Sequence, residues 1–250
     1  MRRCLLAALA PVFLGAAIFA APTLAPTLAP TAFAQDAKES PAAPSADDAK
    51  QRSLRNLKQL ALAAQNFHDR HMSLPARCSV DANGKPLHSW RVFLLPFIEQ
   101  NELYKQIRLD EPWDSEWNSQ FHSKTPALFR RPGSDDKGCV YSCVAAERAA
   151  LQPAKEAGVK VGVRIAAITD GVSNTVLFVE RKEPVCWMDP NADLTLDEFL
   201  ATVAEGNAHY PAGGTNVGMC DGSTRALAPV AKPEILKALV TGSGDVDLLP

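Results

Sequence analysis

The chain reads as an α+β domain on three observations. A long amphipathic helix stands first, antiparallel strand candidates gather in the second half, and no repeating strand-helix-strand pattern links them. The expected architecture is therefore a long N-terminal helix packed on an antiparallel sheet, with helical and loop insertions.

The helix runs from Asp47 to Met72. Leu54, Leu57, Ala61, Ala64 and His68 recur at helical spacing, and Leu60 and Phe67 widen the apolar face. Arg52, Arg55, Lys58, Gln59 and Gln65 occupy the other side, and Ser45 supplies an N-terminal cap. Between Leu87 and Ile107 the chain is mostly apolar until Glu99. Pro96 divides this stretch into a short helix or turn up to Leu95 and a helix from about Phe97 to Ile107. "LDEPWDSEWNSQFHSKTPALFRRPGS" is a loop rich in Pro, Trp and acids, with one short helix near 115–121.

Strands are expected at 138–146, 159–168 and 173–180, each β-branched or alternating and bounded by turn residues. "TLDEFLATVA" at 195–204 is helical, with Leu196, Phe199, Leu200 and Val203 on one face. "NVGMCDGSTRAL" at 216–227 is a hairpin. Its Asp221-Gly222 step suits a two-residue turn with both central residues at positive φ. "PEILKALV" forms a closing helix.

Residues 1–34 have the form of a signal peptide: the basic "MRR", the apolar "CLLAALAPVFLGAAIFA", and "AFA" ending at Ala34 as a cleavage site. The apolar run is short and broken by Pro, so no stable membrane span is expected after cleavage; an uncleaved anchor is the rival reading. Residues 35–46 are polar and non-periodic, a disordered linker, and 47–250 form a single domain. Cleavage leaves 24 basic and 28 acidic residues, a formal charge of −4. Nucleic acid is thereby disfavoured as a partner, since phosphate binding needs a basic field.

Five cysteines remain, at 78, 139, 143, 186 and 220. In an oxidising compartment they permit up to two disulfides. Cys139 and Cys143 lie in one strand candidate, about 13 Å apart when extended, so they cannot bridge each other.

Motifs for nucleophilic elbows, phosphate loops and dinucleotide folds are absent, and no C-x-x-C occurs. His68 and His71 stand one helical turn apart and could ligate zinc, but without a further ligand at a defined spacing they read as cationic groups at a helix C-terminus. A distant Cys–His pair stays open. Acids cluster around Trp113 and Trp117, and Asp110, Asp114 and Glu116 are candidate calcium ligands; the rival is a solvated acidic loop anchored by Trp packing. Asp245 and Asp247 form a second acidic pair. In "AITDGVSNTVLFVE", Asp170-Gly171 makes a turn, and Ser173, Asn174 and Thr175 can bond backbone at a strand entry.

Taken together, "RNLKQLALAAQNFHD", "GKPLHSWRVFLLPFIEQNELYKQIRLDEPWDSEWN", "RRPGS", "ITDGVSNTVLFVE" and "GGTNVGMCDGSTRAL" resemble, in order, the planctomycete DUF1559 family, also catalogued under a bacterial solute-binding label. The resemblance covers Leu54 to about Leu227. It implies a pseudopilin-like fold and no known activity. It marks Trp113, Asp170, Gly171, Ser173, Asn174, His209, Asp221 and Gly222 as family-motif positions. Two departures stand out. The pilin cleavage and methylation signal is replaced by an ordinary secretory one, and His209 is separated from Asp221 by "YPAGGTNVGMC", longer than the family's usual spacing.

The functional expectation is a secreted or periplasmic, non-enzymatic domain that contacts envelope or secretion-related proteins, with no cofactor. A small-solute or calcium-binding module is the alternative. A hydrolase using His209 and Asp221 ranks last, because turn chemistry already accounts for Asp221.

Overall fold

A computed structural model describes residues 45–207, 210 and 213–241. The signal-like segment, nearly all of the linker, His209, Asp245 and Asp247 lie outside the described residues.

Helix α1 (Ala46–His71) starts where Ser45 Oγ accepts the Asp48 N–H at 3.1 Å. Asp47 and Asp48 occupy its first turn and His68, Arg70 and His71 its last, matching the helix dipole at both ends. It stops at Met72, whose left-handed φ of 58° turns the chain away. The buried stripe of Leu57, Leu60, Ala61, Ala64 and Phe67 follows the expected periodicity, and Ser53 joins it. Leu54 and His68 are only half-buried, so the stripe is rotated slightly from the one expected.

A hairpin that the sequence reading missed comes next, β1 (Cys78–Val80) with β2 (Pro86–Ser89), joined through Asn83 and Gly84. Its turn is built by Asp81, whose Oδ1 accepts the N–H groups of Asn83 and Lys85, both at 2.8 Å. Helix α2 (Trp90–Leu94) then passes into a single 3₁₀ turn containing Pro96. Helix α3 (Asn101–Gln106) begins four residues later than expected, because Glu99 takes a positive φ of 61° that a continuous helix from Phe97 could not contain.

The strand expected at 138–146 divides at Cys143 into β3 (Cys139–Ser142) and β4 (Val144–Ala145), which join different sheets. The strand expected at 159–168 does not form. Its alternation is real, since Val159, Val161, Val163 and Ile165 pack against the core. Its backbone, however, bonds to the irregular segment 74–76 through one isolated bridge, Pro75 to Val161, and no extended partner continues the ladder.

Strand β5 (Val176–Val185) begins later and runs further than expected. β6 (Leu194–Thr195) leads directly into α4 (Leu196–Glu205), whose capping box pairs Thr195 with Glu198. β7 (Thr215–Met219), β8 (Thr224–Leu227) and α5 (Pro233–Thr241) complete the chain. The main sheet has the order β3-β5-β7-β8 and is antiparallel throughout; β4 and β6 form a short parallel pair.

The sheet is covered on both faces. α1 packs on β5 and β7, where Gly218 admits it closely: a Cβ there would stand 3.3 Å from the Leu57 carbonyl oxygen. Phe199, Val203, Leu236 and Val240 from α4 and α5 cover the opposite face with Val179, Val217 and Met219. The β7–β8 turn is also wider than the two-residue form. Only Gly222 has a positive φ, 83°, and Met219 N–H donates to Ser223 O at 2.8 Å across the tip. Among the described residues no helix is long and apolar enough to cross a membrane.

Candidate functional site

A second stripe of α1 runs beside the buried one: Arg52, Arg55, Gln59, Leu62 and Asn66, spaced three or four residues apart. Segments 97–100 and 126–134 lie alongside it and leave two adjoining grooves. One, of about 400 Å³, is lined by Leu62, Ala63, Phe97, Ile98 and Leu128, with Glu99 at its edge. The other, of about 330 Å³, is lined by Arg52, Arg55, Arg130 and Arg131. Gln59 and Ala127 line both, so the two form one channel, apolar at one end and basic at the other.

Arg131 joins this surface to a buried polar node. Its guanidinium donates to Asp136 at 3.0 Å and to the carbonyls of Arg181 and Lys182 at 3.1 and 2.5 Å, and its Nε stands 3.9 Å from Glu180 Oε1. Glu180 is fully buried on the α1 face of β5. Tyr210 donates to its Oε1 at 2.5 Å, while Ser53 and Asn216 donate to Oε2 at 2.5 and 2.9 Å. Because the Ser53 proton goes to Glu180, the Tyr141 hydroxyl 3.1 Å away serves as donor to Ser53 Oγ. Burial, and then the neighbouring Glu180 charge, push both the Tyr141 and Tyr210 phenols well above the ordinary tyrosine range. These hydroxyls are fixed donors that, with the Asn216 amide, tie α1, β3, β5, β7 and Tyr210 to one carboxyl group.

A second buried node lies behind β3. Arg91 and Asp193, both fully buried, pair at 3.0 Å. Arg91 also donates to Tyr141 O at 2.7 Å and Ser89 Oγ at 2.9 Å, and Trp90 Nε1 donates to Asp193 at 3.1 Å. Burial, the largest single effect, would lower the Arg91 pKa, but the Asp193 charge together with the neighbouring Cys139 and Cys143 outweighs it and the guanidinium is held charged. The five cysteines among the described residues are free thiols, and none of the disulfides that an oxidising compartment would permit between them is formed. Burial raises the pKa of Cys78, Cys139, Cys143 and Cys186, and that of Cys220 to about 12, so each stays protonated and weakly nucleophilic at neutral pH.

The acidic loop is organised by Asn118, whose amide donates to Arg108 O and Pro112 O, both at 2.9 Å. Glu111 pairs with Arg108 at 2.8 Å and accepts from Ser115, which together hold its pKa low. Trp113 stacks on His122, and Arg108 lies over Trp117. Asp110 and Glu116 are exposed along this loop with Asp114. Among the described residues no three His, Cys, Asp or Glu side chains are grouped to hold a metal ion.

The strand-entry turn and the hairpin tip do meet. Asn174 Nδ2 donates to Asp170 O at 3.1 Å, Gly171 takes a φ of 88°, and Arg225 donates to Ser173 O at 2.8 Å. Asp221 N–H donates to Val172 O at 3.1 Å while its Oδ1 accepts from Ser223 N at 2.8 Å. Asp221 and Gly222 therefore sit at a corner laced by backbone bonds, with Gly222 against Leu62 and Gln65 of α1.

A family model described as a protein of unknown function (DUF1559) matches residues 52–193. The chain belongs to the DUF1559 family. Neither a curated protein nor a solved structure matches it. The DUF1559 match begins at the first groove arginine and ends at the buried partner of Arg91. It contains Trp113, Asp170, Gly171, Ser173 and Asn174, whereas Asp221 and Gly222 lie beyond it.

Sequence reading missed Glu180, Ser53, Arg91, Asp193 and Arg131. For Glu180 a signal existed, an acid closing the apolar run "TVLFVE" on a strand with both faces covered. For Ser53 it was a polar residue next to the apolar face of a helix. Neither pattern reveals the partner, because the partners lie 127 and 36 positions apart along the chain.

Proposed function

We propose that this DUF1559 protein is a non-catalytic recognition domain of the cell envelope or the extracellular space, binding a segment of another protein in the channel along α1. The observation that carries this reading is the channel's shape. From Arg52 to Asn66 it follows roughly 21 Å of helix, at 1.5 Å per residue. An extended segment of about six residues has that length, whereas a small solute is held where most of its surface is enclosed. The channel lies open to solvent along one side, which suits a chain laid into it.

Two further observations support the reading. The buried charges Glu180, Arg91 and Asp193 are engaged with internal donors and acceptors, so their arrangement serves the fold. The N-terminal sequence has the form of an export signal, which supports a mature domain outside the cytoplasm; its pseudopilin-like character belongs to the same proposal.

The test is site-specific photo-crosslinking in the native host. A photoreactive residue in place of Leu62 or Leu128 is expected to give a discrete adduct in the envelope or secreted fraction, and one in place of Lys237, on α5, is not. Equal adduct patterns from all three positions, no adduct at all, or recovery of the folded protein wholly in the cytosol would each overturn the reading.

A further inference from the structure

We infer that the segment bound in the α1 channel is acidic at one end and apolar at the other, lying with its carboxylates against Arg52, Arg55 and Arg130. This deepens the recognition reading and rests on it.

The arginines themselves carry the argument. Elsewhere Arg91 pairs with Asp193, Arg108 with Glu111, Arg131 with Asp136 and Arg181 with the Ala192 carbonyl. Arg70, Arg77 and Arg164 have no such partner among the described residues but do not line the channel, so what sets Arg52, Arg55 and Arg130 apart is that three unpaired guanidinium groups share one groove. Arg52, Arg55 and Arg130 are exposed and form neither an ion pair nor a side-chain hydrogen bond with any described residue. Arg52 and Arg55 also stand three residues apart on α1, a like-charge spacing that weakens a helix slightly. The fold gains nothing from placing them together.

The lining of the basic half contains no acid, although the whole chain carries a formal charge of −2. Arg131, at the floor of the same groove, adds positive charge while its own hydrogen bonds are directed inward. A complementary ligand must therefore be anionic. Guanidinium groups offer planar paired donors that match carboxylates.

At the other end, Leu62 is 42 % exposed, one of five large apolar side chains left so open among the described residues. Phe97, Ile98 and Leu128 beside it are half-buried and complete an apolar strip. A ligand filling both halves needs anionic and apolar groups separated along its length. A free phosphate would occupy only the basic half.

Fluorescence anisotropy on the purified protein tests this with defined probes: a labelled peptide of three Asp followed by a glycine and three Leu, and its counterpart with Asn for each Asp. Saturable binding of the first is expected, with about tenfold weaker binding of the Asn probe. The double variant R52A/R55A should lose a similar factor and show a flatter salt dependence. Leu62→Ser should weaken binding without changing the salt dependence, and Lys237→Ala should leave it unchanged. Equal affinity for the two peptides, or no change in R52A/R55A, overturns the inference. Full displacement by millimolar inorganic phosphate reassigns the basic half to a free anion, and co-flotation with phosphatidylglycerol vesicles that blocks the peptide reassigns the channel to a membrane surface; either also overturns it. If Leu62 crosslinks to a protein partner while the two peptides bind alike, the recognition reading survives and the acidic partner does not.

Discussion

Glu180 offers the sharpest test of how the two ends of this chain are joined. Replacing it with Gln preserves shape and removes the charge. Glu180 accepts three side-chain hydrogen bonds at 2.5 to 2.9 Å while fully buried. Hydrogen bonds to a charged acceptor contribute about 1.5–3 kcal/mol each and neutral ones about 0.5–1.5, so three such exchanges cost about 3 kcal/mol. The Arg131 guanidinium, 3.9 Å away, loses one of its two acidic neighbours and keeps Asp136. In a domain of this size 1 kcal/mol shifts Tm by about 2–4 °C, so Glu180→Gln should lower Tm by about 6–12 °C. Tyr210→Phe removes a single donor and should cost about 1–2 kcal/mol. Because both changes act on one bond, the double variant should lose less than the sum by at least about 0.5 kcal/mol. Calorimetry and urea unfolding of the four proteins measure the cycle. A loss below about 1 kcal/mol for Glu180→Gln, or strict additivity, would refute the view of Glu180 as the acceptor that holds these elements together.

Other expectations follow from the same packing. Gly218→Ala should destabilise by about 1–3 kcal/mol, read by urea midpoint, because the new Cβ meets the Leu57 backbone oxygen at 3.3 Å and the strand cannot retreat from the helix. Stability should fall as pH rises above about 9: the buried thiols and the Tyr141 and Tyr210 phenols have raised folded-state pKa values, so the unfolded chain releases its protons first, and Cys220 alone contributes between 9.0 and about 12. A pH series of unfolding free energies that stays flat to pH 11 would contradict this. On the acid side, burial lowers the His88 pKa, so the unfolded chain binds a proton that the folded one excludes; stability should drop below about pH 6.5 with a slope of up to ~1.4 kcal/mol per unit, and His88→Gln should reduce that slope. A thiol reagent at neutral pH should label Cys186 well before the four buried cysteines, all of which should react in denaturant without prior reduction.

Much of the architecture was legible because it rests on local periodicity. The 3.6-residue apolar repeat of α1, the capping signal at Ser45, the amphipathic α4 and the Asp-Gly hairpin each appear within a short window of sequence. The errors also have local causes. Residues 159–168 alternate like a strand because one face packs on the core, but alternation reports burial and says nothing about whether a partner strand is present to complete the ladder. The β1–β2 hairpin escaped notice because its strands are only three and four residues long, although its turn carries the Asn83-Gly84 pair with Gly84 at a positive φ of 79°.

What the sequence by itself determined is the α+β class, the long leading helix with the side it buries, the hairpin near the end and the family, because these depend on propensity, on periodicity and on motifs kept in order. Only the tertiary structure decided what the polar residues do. It joined Ser53, Tyr141, Glu180, Tyr210 and Asn216 into one buried node, paired Arg91 with Asp193, left the described cysteines as free thiols, and laid Arg52 and Arg55 beside Arg130 in an open channel. A charged or hydroxylated side chain carries no sign of its partner along the chain. Whether it is neutralised inside the fold or left facing a ligand is settled only when distant segments pack, since the cost of burying it depends on which groups arrive within hydrogen-bond distance.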